Sequence, residues 1–207
     1  MRKYLVEFIG TFFLVFTVGC TVIAPGAGAF APVAIGAALM VMVFAGGHVS
    51  GAHFNPAVTL AVAIRGRCPK SDVLPYWIAQ IAAALVAAWA VHFFKGGIEG
   101  GPLPIGVKGA LLAEFLFTFA LCWVVLNVAT SKGTIGNSFY GIAIGATVMA
   151  GAYAVGPISG GAFNPAVAAG ITVMGLAPWG HLWIYLIGEV AGAIAAALAY
   201  KIVNGGD

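Results

Sequence analysis

Charge is scarce in this sequence. Nine Lys or Arg and six Asp or Glu are spread over 207 residues, so charged side chains make up 7%, against about 25% in soluble domains. A soluble core of this size needs far more charge to cover its surface, so water is not the chain's main solvent. The net charge of +3 is too small and too dispersed to serve a nucleic-acid partner. Cysteine is almost as rare. Cys20, Cys68 and Cys122 show no metal-ligand spacing, and two of them lie in apolar stretches, which reads them as small buried hydrophobes. No Ser/His/Asp set, nucleotide-binding loop or metal cluster is found, so the sequence offers neither an enzyme site nor a cofactor site. What is abundant is apolar: 62% of residues are hydrophobic and mean hydropathy is +1.05. The 30 glycines follow no strict period and aromatics are plentiful, which excludes collagen-like and disordered readings. With many alanines they fit closely packed transmembrane helices, whose backbones approach through small residues.

A helix needs about 20 apolar residues to span a bilayer. Six stretches stand out: residues 4–24, 32–47, 73–94, 109–129, 138–155 and 180–202; the second and fifth are short, but each runs straight into an Asn-Pro-Ala element. The first, behind Arg2 and Lys3, has the outline of a signal peptide, but Glu7 inside it argues against cleavage. Glu7-Phe8-Ile9-Gly10-Thr11-Phe12 also recurs internally as Glu114-Phe115-Leu116-Phe117-Thr118-Phe119, so the stretch reads as a retained span. The repeat continues along the chain. Ala34-Ile35-Gly36-Ala37 returns as Ala143-Ile144-Gly145-Ala146, and Gln80 falls opposite Glu189. Asn-Pro-Ala stands at residues 55–57 and again at 164–166, an offset of 109 (164 − 55), each copy led in by Ser-Gly-x-x-Phe. The halves, approximately residues 1–100 and 108–207, each hold three spans plus one Asn-Pro-Ala segment, within one channel domain covering 1–207. Three being odd, the second half enters the membrane from the opposite side, which makes an inverted repeat. With the N-terminus inside, Arg2, Lys3, Arg65, Arg67, Lys70, Lys132 and Lys201 are cytoplasmic and only Lys95 and Lys108 lie outside, as the positive-inside rule requires. Both termini are then cytoplasmic.

The apolar stretches after each motif, 57–64 and 166–174, are too short to span. They are tolerable only as re-entrant elements packed in protein or lining a wet cavity. Asn55 and Asn164 are favoured N-caps, and Pro56 and Pro165 are favoured at the first helical position. Asn-Pro-Ala thus specifies a half-helix with Asn at its tip, and inversion brings the two tips, with Ala57 and Ala166 behind them, together near the midplane. Each helix N-terminus carries roughly half a positive charge. The Asn side chains can offer N–H donors to a passing oxygen, while a cation meets positive dipoles and loses its hydration. The implied partners are water, small neutral solutes and the lipid bilayer.

The paired motifs, their lead-ins, the Glu-Phe starts of spans one and four and the Ala-Gln of span three resemble the aquaporin, or major intrinsic protein, family. The resemblance covers residues 4–202 and implies an all-α membrane protein, a right-handed bundle of six tilted helices and two re-entrant half-helices, assembled as a homotetramer in the plasma (inner) membrane with one pore per protomer. Most members have Arg directly after the second Asn-Pro-Ala, narrowing the outer selectivity filter. Here Val167 holds that place. Carrying over the other filter positions by the family's spacings gives Ile35, Ala152 and Gly161, which predicts a wide, apolar constriction without a charged donor. Such a ring admits glycerol, urea or neutral metalloid hydroxides such as arsenous or boric acid. Glycerol-conducting relatives usually carry Asp soon after the second motif, where Ala168 and Ala169 stand, whereas Tyr185-Leu186 resembles the pattern of plant nodulin-like proteins. A mainly water-conducting pore and, more remotely, an ion-coupled transporter remain the alternatives.

Ionisable groups inside spans are expensive unless paired. Glu7 and Glu114 are read as acceptors for loop backbone rather than as a proton relay, and Gln80 is read in the same way. Glu189, near whose position members of the family the chain resembles commonly have Pro, either braces loop backbone or bears on gating or subunit contacts. His48 is read as holding the first loop by a hydrogen bond, with pH gating as the alternative, and His53 as pore-lining or loop-bracing. Trp77, Trp179 and Trp183 fit interfacial anchors. The connector between residues 95 and 108, rich in Gly and Pro, is expected to fold over the pore mouth.

Overall fold

The computed structural model describes residues 1–97 and 101–205. Eight α-helices organise them: α1 (Arg2–Val22), α2 (Ala31–Ser50), α3 (Pro56–Arg65), α4 (Lys70–Lys95), α5 (Val107–Thr130), α6 (Tyr140–Ser159), α7 (Pro165–Val173) and α8 (Leu182–Val203). Six are long and apolar enough to cross a membrane, while α3 and α7 have 10 and 9 residues. At about 1.5 Å per residue the short pair reaches roughly half of a 30 Å hydrocarbon core.

The long helices expose large apolar side chains such as Leu5, Phe13, Trp89, Leu116, Ile142 and Leu198, so the outer surface is apolar as well as the core. This suits a bundle dissolved in lipid, where burial of oily surface between helices gives little drive and close packing takes its place. The packing repeats between halves. α1 lies against α2 and α4 as α5 lies against α6 and α8. The short helices exchange partners: α3 packs on α8 and α5 of the other half, and α7 packs on α4 and α1. The halves therefore hold each other's re-entrant segments.

The central crossing is between α2 and α6, and glycine permits it. A Cβ on Gly36 would stand 2.7 Å from the Gly145 carbonyl oxygen, and a Cβ on Gly145 would stand 2.4 Å from the Gly36 carbonyl oxygen. The recurrent Ala-Ile-Gly-Ala is thus a pair of backbone contact points as well as a repeat marker. It also places Ile35 and Ile144, one residue earlier on each helix, at equivalent positions.

Two contacts bring the ends of several helices together. Lys3 at the start of α1 pairs with Asp72 at the start of α4, which also accepts from Tyr4 Oη at 3.0 Å. Arg65, ending α3, lies 4.9 Å from the ring centroid of Tyr200 near the end of α8. The N-terminus, the end of α3, the start of α4 and the end of α8 therefore share one face, called here the N-terminal face. Trp77 departs from its reading as an interfacial anchor: its Nε1 donates to the Pro56 carbonyl at 3.1 Å and fastens the first turn of α3.

Replacing Gly145 with Val should force α2 and α6 apart at an immovable backbone atom. We expect a stability loss of about 2 kcal/mol or more, read as a lower thermal midpoint of the detergent-solubilised protein, whereas Gly156→Val, at a position with open space, should melt nearly as the parent does.

Candidate functional site

The two Asn-Pro-Ala segments meet tip to tip. Asn55 Oδ1 accepts from the backbone N–H of Ala57 at 2.8 Å and of Val58 at 3.3 Å, and Asn164 Oδ1 accepts from Ala166 N at 2.9 Å. With Oδ1 committed to the cap, each Nδ2 points across the repeat boundary. Asn55 Nδ2 donates to the Phe163 carbonyl at 2.8 Å and Asn164 Nδ2 to the Phe54 carbonyl at 2.9 Å. This reciprocal lock was not read from the sequence, although Phe preceding both motifs was its signal. It spends one of the two N–H groups on each amide and leaves the other for the lumen.

Phe54 and Phe163 both have φ of 49°, and Ala52 has 51°, in the left-handed region that costs energy for residues with a Cβ. At the position equivalent to Ala52 the second repeat has Gly161, with φ of 65°, which removes that penalty. Buried carboxylates hold these loops. Glu7 Oε1 accepts from Ser50 Oγ at 2.7 Å and His53 N at 3.0 Å, and Oε2 from Phe54 N at 2.7 Å. Glu114 repeats the set with Ser159 Oγ at 2.7 Å, Ala162 N at 3.1 Å and Phe163 N at 2.7 Å. Both side chains have no exposed surface. Each loop's N–H groups, orphaned by the break between helices, thereby find acceptors inside the protein.

Among the other bracing residues, Gln80 and His48 are arranged differently from their sequence reading. Gln80 accepts no loop N–H. Its Nε2 donates to Glu7 Oε2 at 2.9 Å and to Thr59 Oγ1 at 3.1 Å, so it acts one step back, through the carboxylate. Glu189 does meet loop backbone, with Oε1 accepting from Asn164 N at 2.8 Å. His48 is exposed and makes no hydrogen bond among the described residues, because the last turn of α2 directs it to the vestibule and not to the loop. His53 takes the bracing place instead, its Nδ1 3.1 Å from Thr59 Oγ1 and its ring against Tyr76.

A cavity of about 700 Å³ opens from the face opposite the N-terminus and reaches both asparagines. Ile35, Ala152, Gly161 and Val167 all line it, so the structure brings these four together in one compartment. Leu39, Leu121, Val125, Ile144 and Val148 supply an apolar wall that the sequence reading did not name, apart from the repeat marker at Ile144. Among the described residues the lining holds no Lys, Arg, Asp or Glu; its polar side chains are Thr21, His53, Asn55, Asn164 and Tyr185. The 101–104 part of the connector folds over this mouth, with Leu103 N donating to Leu176 O at 3.3 Å, while Gly100 lies outside the described residues. A second cavity, also about 700 Å³, opens on the N-terminal face beside His48, Arg67 and Tyr140. His53, Val125 and Ile144 border both, so the compartments adjoin at the level of the first motif.

Two half-helices capped at a common point between two opposed cavities define a membrane channel built on an inverted repeat, and the chain belongs to the major intrinsic protein family, whose model matches residues 1–200. It is 42% identical to the rice protein aquaporin NIP1-1 (Oryza sativa subsp. japonica), over 99% of this chain and 75% of that one. It is 37% identical to nodulin-26 of Glycine max, over 99% of this chain and 78% of the relative. Among solved structures, the aquaglyceroporin of Plasmodium falciparum has the same fold, with a TM-score of 0.82 at 21% identity over 98% of this chain and 96% of that one. The chain is therefore an integral, multi-pass membrane protein of a channel family, not an enzyme.

Glu114→Ala would strip acceptors from one hydroxyl and two buried N–H groups. The expected loss is about 3 kcal/mol or more, measured as a lowered melting temperature in detergent together with reduced water permeability of reconstituted vesicles. Glu114→Gln, which keeps one acceptor oxygen, should fall between the parent and Glu114→Ala.

Proposed function

We propose that this protein conducts water and larger small neutral solutes, including glycerol, urea and metalloid hydroxides such as arsenous acid, and excludes ions and protons. The observation that carries the reading is that, among the described residues, the compartment around Ile35, Ala152, Gly161 and Val167 has no charged side chain in its lining. A filter of this kind selects by width and desolvation. A neutral polyol or metalloid hydroxide loses little by entering, since its hydroxyl oxygens find the amide N–H groups of Asn55 and Asn164 and its remaining surface meets the apolar lining. An ion loses its hydration shell and receives no counter-charge. At the midplane, α3 and α7 each direct about half a positive charge at the lumen, a barrier to cations independent of the filter. A water accepting from both amides turns its own hydrogens outward, which breaks a hydrogen-bonded file along which a proton could hop.

Val167 carries the distinction from a water-only pore. It is 5% exposed and stands at the third residue of α7, in the first turn beyond Asn164. A guanidinium there would add a fixed charge, five donors and bulk to the lining of the outer compartment. The gathering of basic residues on the N-terminal face supports cytoplasmic termini in the plasma membrane, and the apolar outer surface is compatible with the homotetramer that the family resemblance implies.

Val167→Arg, reconstituted into vesicles and followed by stopped-flow light scattering, should cut glycerol and arsenous acid flux by about tenfold or more, the equivalent of about 1.4 kcal/mol of added barrier, and lower water flux much less. Equal retention of all three fluxes would remove Val167 from the filter.

A further inference from the structure

The two repeats differ in what stands behind their bracing carboxylates, and the difference concerns a hydrogen atom. Glu7 receives four donors: Ser50 Oγ, His53 N, Phe54 N and Gln80 Nε2. Glu114 receives the counterparts of the first three, from Ser159 Oγ, Ala162 N and Phe163 N. The fourth place, filled in the first repeat by an amide N–H, falls to Glu189, the residue aligned with Gln80. An ionised carboxylate has no hydrogen to give.

Glu189 has no exposed surface, and its Oε1 is occupied by Asn164 N. Its Oε2 meets no N–H or O–H donor among the described residues. The Glu114 carboxyl is the neighbour of Glu189: the two accept from successive backbone N–H groups, Glu114 Oε2 from Phe163 at 2.7 Å and Glu189 Oε1 from Asn164 at 2.8 Å. Two bare anions held side by side in a buried, apolar setting are far costlier than one anion and one acid joined by a hydrogen bond. Among the described residues no cationic side chain donates to either carboxyl. On α5 the titratable neighbours are Glu114 and Cys122; on α8 itself Tyr185 gives its hydroxyl to the Ser159 carbonyl at 2.6 Å. α7 has no titratable side chain, and Arg65 of α3 has its guanidinium over Tyr200, about three turns along α8.

We infer that Glu114 and Glu189 share one proton, carried on Glu189 Oε2 and donated to Glu114, and that Glu189 is thereby the positioning residue for Asn164. The acid form does with O–H what Gln80 does with N–H, and its other oxygen additionally accepts the Asn164 backbone N–H. Asn164 in turn caps α7 and sends its amide to the Phe54 carbonyl, so the proton secures the second half-helix tip against both loops. The positioning role rests on the channel reading above, whereas the shared proton does not.

The test combines infrared spectroscopy with flux. At neutral pH the reconstituted wild type should show the carbonyl stretch of a protonated carboxylic acid, and E189Q should lack it. E189Q restores the Gln80 arrangement and should keep water permeability within about twofold of wild type at equal channel density, while E189L should lose about fivefold or more. Absence of the band in wild type, or its persistence in E189Q, overturns the shared proton. A drop in E189Q as deep as that in E189L overturns its equivalence to Gln80. Failure of the solute proposal would appear as unaltered glycerol exclusion in a channel that still carries the band, so the two outcomes are separable.

Discussion

Backbone that leaves a helix inside a membrane must find hydrogen-bond partners within the protein, and the structure depends on how that demand is met. The loops before α3 and α7 break off midway through the bilayer, where no solvent is on hand for their N–H groups. Glu7 and Glu114 supply the acceptors, each taking a serine hydroxyl and two backbone N–H groups. A carboxylate is well suited to this work because its two oxygens can gather several donors at once. The gain is positional. With the loops fixed in a strained left-handed turn at Phe54 and Phe163, the asparagines can point their amides across the repeat boundary.

The lumen that results is chemically mixed. The amide tips of Asn55 and Asn164 offer donors, and Leu39, Leu121, Val125, Ile144 and Val148 offer only apolar surface to the same compartment. A solute with hydroxyl groups and no charge suits both. The inverted repeat makes this possible with few residues, since the carboxylate clamps and the asparagine caps appear twice and each short helix is clamped by long helices of the other half. Where the repeats diverge, function has room to diverge with them. Ala52 against Gly161 changes the strain and width at one loop, and Gln80 against Glu189 changes the donor at the corresponding bracing position.

Much of this was legible in the primary structure because it obeys local rules. Asn followed by Pro at the head of a short apolar run is a helix start wherever it occurs, and the hydrogen bonds of Asn55 Oδ1 and Asn164 Oδ1 follow that rule. Spans of 20 or more residues and the placement of basic residues follow from the bilayer's thickness and asymmetry. The histidines and Gln80 were less legible. His48 and His53 are five residues apart, and which of them turns toward the loop depends on the helix phase at the end of α2. Gln80 reaches the loop only through Glu7, a relation between residues 73 apart in sequence that no local pattern encodes.

The sequence by itself determined the number of spans, the duplication, the two Asn-tipped half-helices and the identity of the residue after the second motif. These are consequences of composition, periodicity and capping, which act within a few residues of one another. Only the tertiary structure decided what the asparagine amides hold, that an apolar set of side chains shares their compartment, and that Glu189 stands beside Glu114 with no donor for its second oxygen among the described residues. Those facts arise where elements of opposite halves meet, and their energies come from contacts between groups that the chain keeps far apart until it folds.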